Sequence, residues 1–184
     1  MRRYILKFGL ISGAILSVTM AVSMAFIDRI GDRGELLGYT TMVLAFLLVY
    51  FGIRSYRDKV AGGVLAFGKA FGIGLLMTLV ASACYVITWE VINYAFLPNF
   101  AAQYAAHAVE AARASGATAA QIAEKTRQMA QFQEMYKNPV INVGLTFIEV
   151  FPVGLVMTLV SSGILSRRRA PSVPLGSASP ASAR

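Results

Sequence analysis

Four stretches of the chain are apolar for long enough to require a non-aqueous surround, and polar or basic residues bound each of them. The first covers residues 4–27; at about 1.5 Å per helical residue it reaches about 36 Å, more than the roughly 30 Å of a bilayer's hydrocarbon core. The second covers 36–53 and ends in the basic run from Arg54 to Lys59, after a turn signal at Gly31, Asp32, Arg33 and Gly34. The third spans 72–96, preceded by an interfacial entry at 64–71 that carries Lys69. The fourth spans 140–165, opened by Asn138 as a cap and Pro139 at the first helical position, where a missing N–H costs nothing. Arg167, Arg168 and Arg169 close it, and the Ala-, Pro- and Ser-rich residues 168–184 offer too little apolar surface to offset ordering entropy, which predicts a disordered cytoplasmic tail.

Between the third and fourth stretches, residues 97–138 follow a different pattern, rich in Ala, Gln and Glu. This composition favours helix, and the signals divide it in two. Asn99 is placed to cap a first helix with Phe100, Tyr104, Ala108 and Ala111 on one face, and Ser115-Gly116 ends it. Thr118 and Gln121 have capping-box spacing for a second, with Ile122, Met129, Phe132 and Tyr136 as its stripe. A helical hairpin outside the membrane is expected, either a cover packed on the helix ends or, in a sharper role, a lid or a partner-binding arm.

Composition agrees with this pattern, since 57% of the 184 residues are hydrophobic and only 14% charged. The net charge of +8 raises nucleic acid as a partner, but the basic residues sit in short segments between apolar runs, as membrane-orienting charges do, so no nucleic-acid partner is expected. Ten Lys and Arg flank one side, at the amino end, in the middle loop and at 167–169; six flank the other. The positive-inside rule puts both termini in the cytoplasm and 97–138 outside. Arg2, Arg3 and Lys7 before an apolar core, with Ser23-Met24-Ala25 behind it, mimic a secretory signal, but the length of the run favours a retained span. The expected fold is all-α, an integral membrane four-helix bundle (residues 1–167) with the hairpin inserted between its third and fourth helices.

Chemistry is sparse. Gly63-Val64-Leu65-Ala66-Phe67-Gly68-Lys69-Ala70 follows phosphate-loop spacing until Ala70, which lacks the hydroxyl that binds magnesium, and no strand precedes it. Gly63, Gly68 and Gly72 are read instead as close-packing positions, as are Gly9 and Gly13 in a GxxxG spacing. His107 is the only histidine and Cys84 the only cysteine, which excludes a histidine-rich metal site, a conventional triad within the chain and a disulfide. No cofactor is expected and the chain is read as a non-enzyme.

The informative residues are Glu90 and Glu149, the only acids inside the expected spans, because a lipid-facing carboxylate is costly and turns inward to find a partner. Counted from the helix ends they differ by about 4–5 Å in depth. Pro152 leaves the Ile148 carbonyl without its helical N–H. These groups form a candidate intramembrane polar site of Glu90, Glu149 and Pro152, able to hold a cation or share a proton. The plainer reading has each acid protonated, or hydrogen-bonded to Asn93, Thr88, Tyr94 or Thr146, and merely orienting its helix.

Five blocks in order, 7–13 (KFGLISG), 51–58 (FGIRSYRD), 67–71 (FGKAF), 85–90 (YVITWE) and 149–155 (EVFPVGL), resemble the family catalogued as domain of unknown function 4199, small four-helix bacterial membrane proteins. The resemblance implies a bacterial cytoplasmic membrane location and the same helix plan, with no activity, ligand or catalytic residue to carry over. Beside the lipid bilayer, the expected partners are a second copy of the chain or another membrane protein, in an accessory or assembly role. The alternative is a transport or ion-responsive protein built on the two glutamates.

Overall fold

The computed structural model describes residues 1–25 and 34–166, with the backbone alone at 34 and 35. The expected turn at 31–33, the charges at Arg29 and Arg33, the end of the first span at Ile27, the stop at 167–169 and the tail at 168–184 lie outside the described residues. Among the described residues there are six α-helices, α1 (Arg2–Ala25), α2 (Gly34–Lys59), α3 (Phe67–Ala95), α4 (Phe100–Ala114), α5 (Ala119–Tyr136) and α6 (Pro139–Leu165). The first three and α6 are long and apolar enough to cross a membrane.

Two helix ends differ by more than two residues from their sequence expectation. Helix α3 starts at Phe67, not at residue 72, because the chain reverses through Gly62 and Gly63, both at positive φ, and reaches extended backbone at Ala66. The stretch at 67–71, read as an interfacial entry, is the first turn of the same helix. Helix α2 runs on through the basic stop to Lys59, since Arg and Lys are good helix formers and Arg54 pairs with Asp58 at i+4, 3.6 Å away.

Small residues bring the long helices together. A Cβ placed on Gly9 would lie 2.9 Å from Val80 Cβ, and one on Gly13 2.7 Å from Cys84 Cβ, so the GxxxG spacing does seat α1 on α3. Cys84 is a half-buried packing residue in that seam. Gly63, Gly68 and Gly72 do not play this part, for nothing lies within 4 Å of a Cβ built on any of them. Beside Gly9 and Gly13, the glycines that do are Gly52, which admits Met77 and Phe8, and Gly74 and Gly154, which let α3 and α6 approach with Thr78, Thr158 and Phe46 between them. Phe46, Val49, Ile53, Ile73, Met77 and Val150 fill the centre, fully buried. Hydroxyls close the remaining gaps, with Ser12 Oγ donating to the Ala45 carbonyl at 3.0 Å and the Thr78 and Thr158 hydroxyls 2.9 Å apart. Helix α6 keeps its expected start, with Asn138 Oδ1 accepting from Val140 N at 3.0 Å and Pro139 in the first turn.

Helices α4 and α5 pack on each other after a break at Ser115-Gly116, where Gly116 takes φ +80°. The Thr118 hydroxyl accepts from Gln121 N at 3.3 Å while Gln121 Oε1 accepts from Thr118 N at 2.8 Å, which completes the capping box. Asn99 precedes α4 but makes no side-chain cap bond. Thr118→Ala is expected to cost about 1 kcal/mol of local stability, seen as faster amide exchange across 119–123 with no change in α3.

Candidate functional site

Helical spacing gathers a polar layer where α5 ends against α3 and α6. Tyr85 and Trp89 share a face of α3 at i, i+4, and Asn142, Thr146 and Glu149 recur down α6 at four and three residues. The two helices run antiparallel, in a register fixed by Thr78 against Thr158, Tyr85 against Glu149 and Trp89 against Asn142. Trp89 Nε1 donates to Tyr136 Oη at 2.8 Å and to Asn142 Oδ1 at 3.2 Å. Phe100, opening α4, meets the Trp89 ring edge-on with centroids 4.8 Å apart, and Tyr104 and Phe132 extend the aromatic group outward. One indole therefore anchors both ends of the α4–α5 pair.

Around this anchor several polar groups are incompletely matched. Asn142 is fully buried and its Nδ2 has no hydrogen-bond partner; Glu90 Oε1 is enclosed and has none either. Such an orphan donor and acceptor are each costly unless a further group serves them. Tyr85, itself buried, donates its hydroxyl to Glu149 Oε1 at 3.4 Å, at the exposed edge of α6.

No hydrogen bond joins Glu90 to Glu149 among the described residues. Glu149 stands level with Tyr85, whereas Glu90 lies five residues further along α3, about 7–8 Å on and roughly 140° around it. Counting depth from helix ends understated this separation because the ends are not flush. Pro152 is exposed three residues beyond Glu149, and no side chain among the described residues bonds to the Ile148 carbonyl. Of the neighbours considered, Thr88 donates to Ser17 and to the Cys84 carbonyl, Thr146 donates to the Asn142 carbonyl, and Tyr94 is exposed. Tyr85, Trp89, Tyr136 and Asn142 are the partners that sequence reasoning missed, although the i, i+4 aromatic pair at 85 and 89 stands inside the segment 85–90 that carries the family resemblance.

The two carboxyls do share a neighbour. Burial pushes the Tyr136 phenol up to about 12, and the negative charges of Glu90 and Glu149 add to the rise against the opposing hydrogen bond from Trp89 and the polar influence of the Asn142 side chain. The folded state thus holds this proton more tightly than the unfolded chain does. Its contribution is complete below about pH 10, the ordinary tyrosine value, and is lost as pH climbs from there to about 12. With Trp89 the single tryptophan, its emission is expected to shift over that window, and Tyr136→Phe to abolish the shift; an unchanged shift in the variant would assign it to another tyrosine.

Other candidate chemistry does not assemble. Among the described residues no three His, Cys, Asp or Glu side chains gather as metal ligands, and His107 is exposed on α4. The phosphate-loop mimic is split between the Gly62-Gly63 turn and the start of α3, and the element before it is helix α2.

The chain is an all-helical protein in which four of the six described helices have the length and composition of membrane spans, as in a multi-pass membrane protein. It belongs to the family described as Protein of unknown function (DUF4199), whose family model matches residues 7–167. No curated protein and no solved structure matches the chain.

Proposed function

We propose that this is a non-enzymatic accessory or assembly protein of the bacterial cytoplasmic membrane. In this reading α1, α2, α3 and α6 form a four-helix bundle across the bilayer, both termini are cytoplasmic, and α4–α5 is an extracytoplasmic hairpin that meets a partner. The observation that carries it is the state of the hairpin. Ala105 is its only buried residue, α5 buries none, and its attachment runs through the aromatic group on Trp89. A pair of helices serving only as a cover would bury a full stripe of each. Affinity purification of the whole chain against a chain lacking 100–136 tests the role, with a specific partner retained only by the whole chain; the same partners in both would remove it. Cysteines at Ser115 and Ser172, in a background without Cys84, test the topology. An impermeant reagent should label the first and not the second in intact cells with only the outer membrane permeabilised, and the reverse would overturn the orientation.

A second reading, an ion- or proton-responsive protein, is favoured by the unpartnered Glu90 Oε1 and Asn142 Nδ2 beneath the hairpin's anchor. Glu90, Glu149 and the carbonyl freed by Pro152 are its candidate groups. Ion or proton flux in proteoliposomes that falls at least tenfold in Glu90→Gln or Glu149→Gln would support it, and no flux above protein-free vesicles would remove it.

A further inference from the structure

The two ends of the long-helix assembly treat their charges differently. In α4 and α5 each acid has its own base at i+3, with Glu110 on Arg113 at 2.6 Å, Glu124 on Arg127 at 2.9 Å and Glu134 on Lys137 at 2.7 Å. That end is nearly self-neutral, with Lys125 the one base in α5 outside these pairs. At the opposite end the described residues carry seven Lys and Arg against a single acid, Asp58. Asp58 is already shared by Arg57 at 2.8 Å and Arg54 at 3.6 Å, and Arg57 also reaches the last carbonyls of α6, 3.4 Å from Leu165 O. Arg2, Arg3, Lys7, Lys59 and Lys69 have no acidic partner among the described residues.

One of these cations, Lys69, sits on a built aromatic seat, and Arg2 and Arg3 directly precede its Tyr4 on α1. Tyr4 of α1 meets Tyr56 of α2 edge-on with centroids 5.8 Å apart, and Lys69 Nζ of α3 lies 5.8 Å from the Tyr56 ring centre. Three helices thus contribute to one collar, and Tyr56 is nearly buried within it. A cation–π contact orients Lys69 but leaves its charge uncompensated and its N–H donors free for an anion. Tyrosines with long basic side chains beside them suit a phosphate that is fixed to an acyl chain, for which the exposed Leu6, Leu10 and Phe67 of α1 and α3 offer an apolar face.

We infer that this collar binds the phosphate of anionic phospholipid headgroups, with Arg2, Arg3 and Lys69 as the principal contacts around Tyr4 and Tyr56. The inference rests on the reading of the four long helices as spans. Each basic residue near an anionic surface is worth about 1 kcal/mol, or about fivefold in affinity. Five uncompensated cations therefore outweigh the surface pairs of the other end, which contribute little.

The test is retention of phosphatidylglycerol against phosphatidylcholine by the whole protein from mixed nanodiscs, read by native mass spectrometry. The wild type is expected to favour phosphatidylglycerol by about tenfold or more, the triple change Arg2→Gln, Arg3→Gln, Lys69→Gln to remove at least tenfold of that, and Lys125→Gln to leave it unchanged. Equal retention of the two lipids by the wild type would overturn the inference, and so would an equal effect of Lys125→Gln, which would reflect net charge alone. Displacement of the lipid by millimolar inorganic phosphate would assign a soluble phosphate instead and overturn the lipid source. Should the triple variant not fold, the wild-type preference and its loss at high salt decide the matter. A protein that never enters nanodiscs refutes the spans themselves, a result distinct from one that enters and shows no preference.

Discussion

Gly154→Val is expected to lower the unfolding free energy by about 3 kcal/mol, the upper end of what overpacking usually costs. A Cβ at this position collides with Thr78 Cγ2 and lies 2.7 Å and 2.8 Å from Phe46 Cε1 and Cζ. Neither neighbour can yield cheaply. Phe46 is completely buried, and Thr78 is held by its contacts to the Gly154 carbonyl at 3.3 Å and to the Thr158 hydroxyl at 2.9 Å. The only relief is to move α6 away from α2 and α3, which gives up dispersion contacts along both seams. Gly144→Ala on the same helix is the matched control, because nothing lies within 4 Å of a Cβ there. Helix propensity predicts a gain of up to about 1 kcal/mol at that site. Helix loss followed by circular dichroism during denaturation in micelles separates the two variants, and equal behaviour would refute the close approach of α6.

Trp89→Ala is expected to cost about 3–5 kcal/mol and to release α4–α5 from the long helices. The indole fills a buried site, and its Nε1 serves Tyr136 and Asn142 at once, so truncation leaves Asn142 Oδ1 as well as Nδ2 unpaired. Trp89→Phe should keep part of the packing with Phe100 and lose the two polar contacts, at about 1–3 kcal/mol. Hydrogen exchange distinguishes loosening from general unfolding. Protection in 100–136 should fall sharply in both variants while the segment of α3 around Ile73 and Met77 keeps its protection; uniform loss along the chain would mean that Trp89 holds the core and not the pair.

The long helices were legible because their signals are redundant. For α6 an apolar run, the cap at Asn138 and Pro139 in the first turn all point to one start, and the capping box at Thr118 and the break at Gly116 are equally local. Register between helices was not legible, because it is set by contacts between residues far apart in the chain. Gly9 and Gly13 could be paired with α3 only in space, and Gly68 and Gly72, with the same spacing, meet nothing because their side of α3 faces outward. The acids show the same limit. Glu90 and Glu149 stand out by composition, but which residue answers each depends on how α3 slides past α6, and that is decided by Trp89 and Asn142. A buried asparagine and a tryptophan look like ordinary apolar-helix residues until their polar atoms are seen to face one another.

The seam between α1 and α3 also bears on the order in which the chain is made. Helix α1 leans on α3 through Gly9, Gly13 and the Ser17–Thr88 hydroxyl contact at 2.7 Å, although α2 is synthesised between them. During translation the first two helices therefore emerge with the glycine groove of α1 still vacant, and residues Phe67–Ala95 must arrive before it closes. A ribosome stalled before α3 would hold a hairpin with its small-residue face open to lipid and to quality-control proteases. A chain released after Lys59 is therefore expected to turn over much faster than one that extends past Ala95.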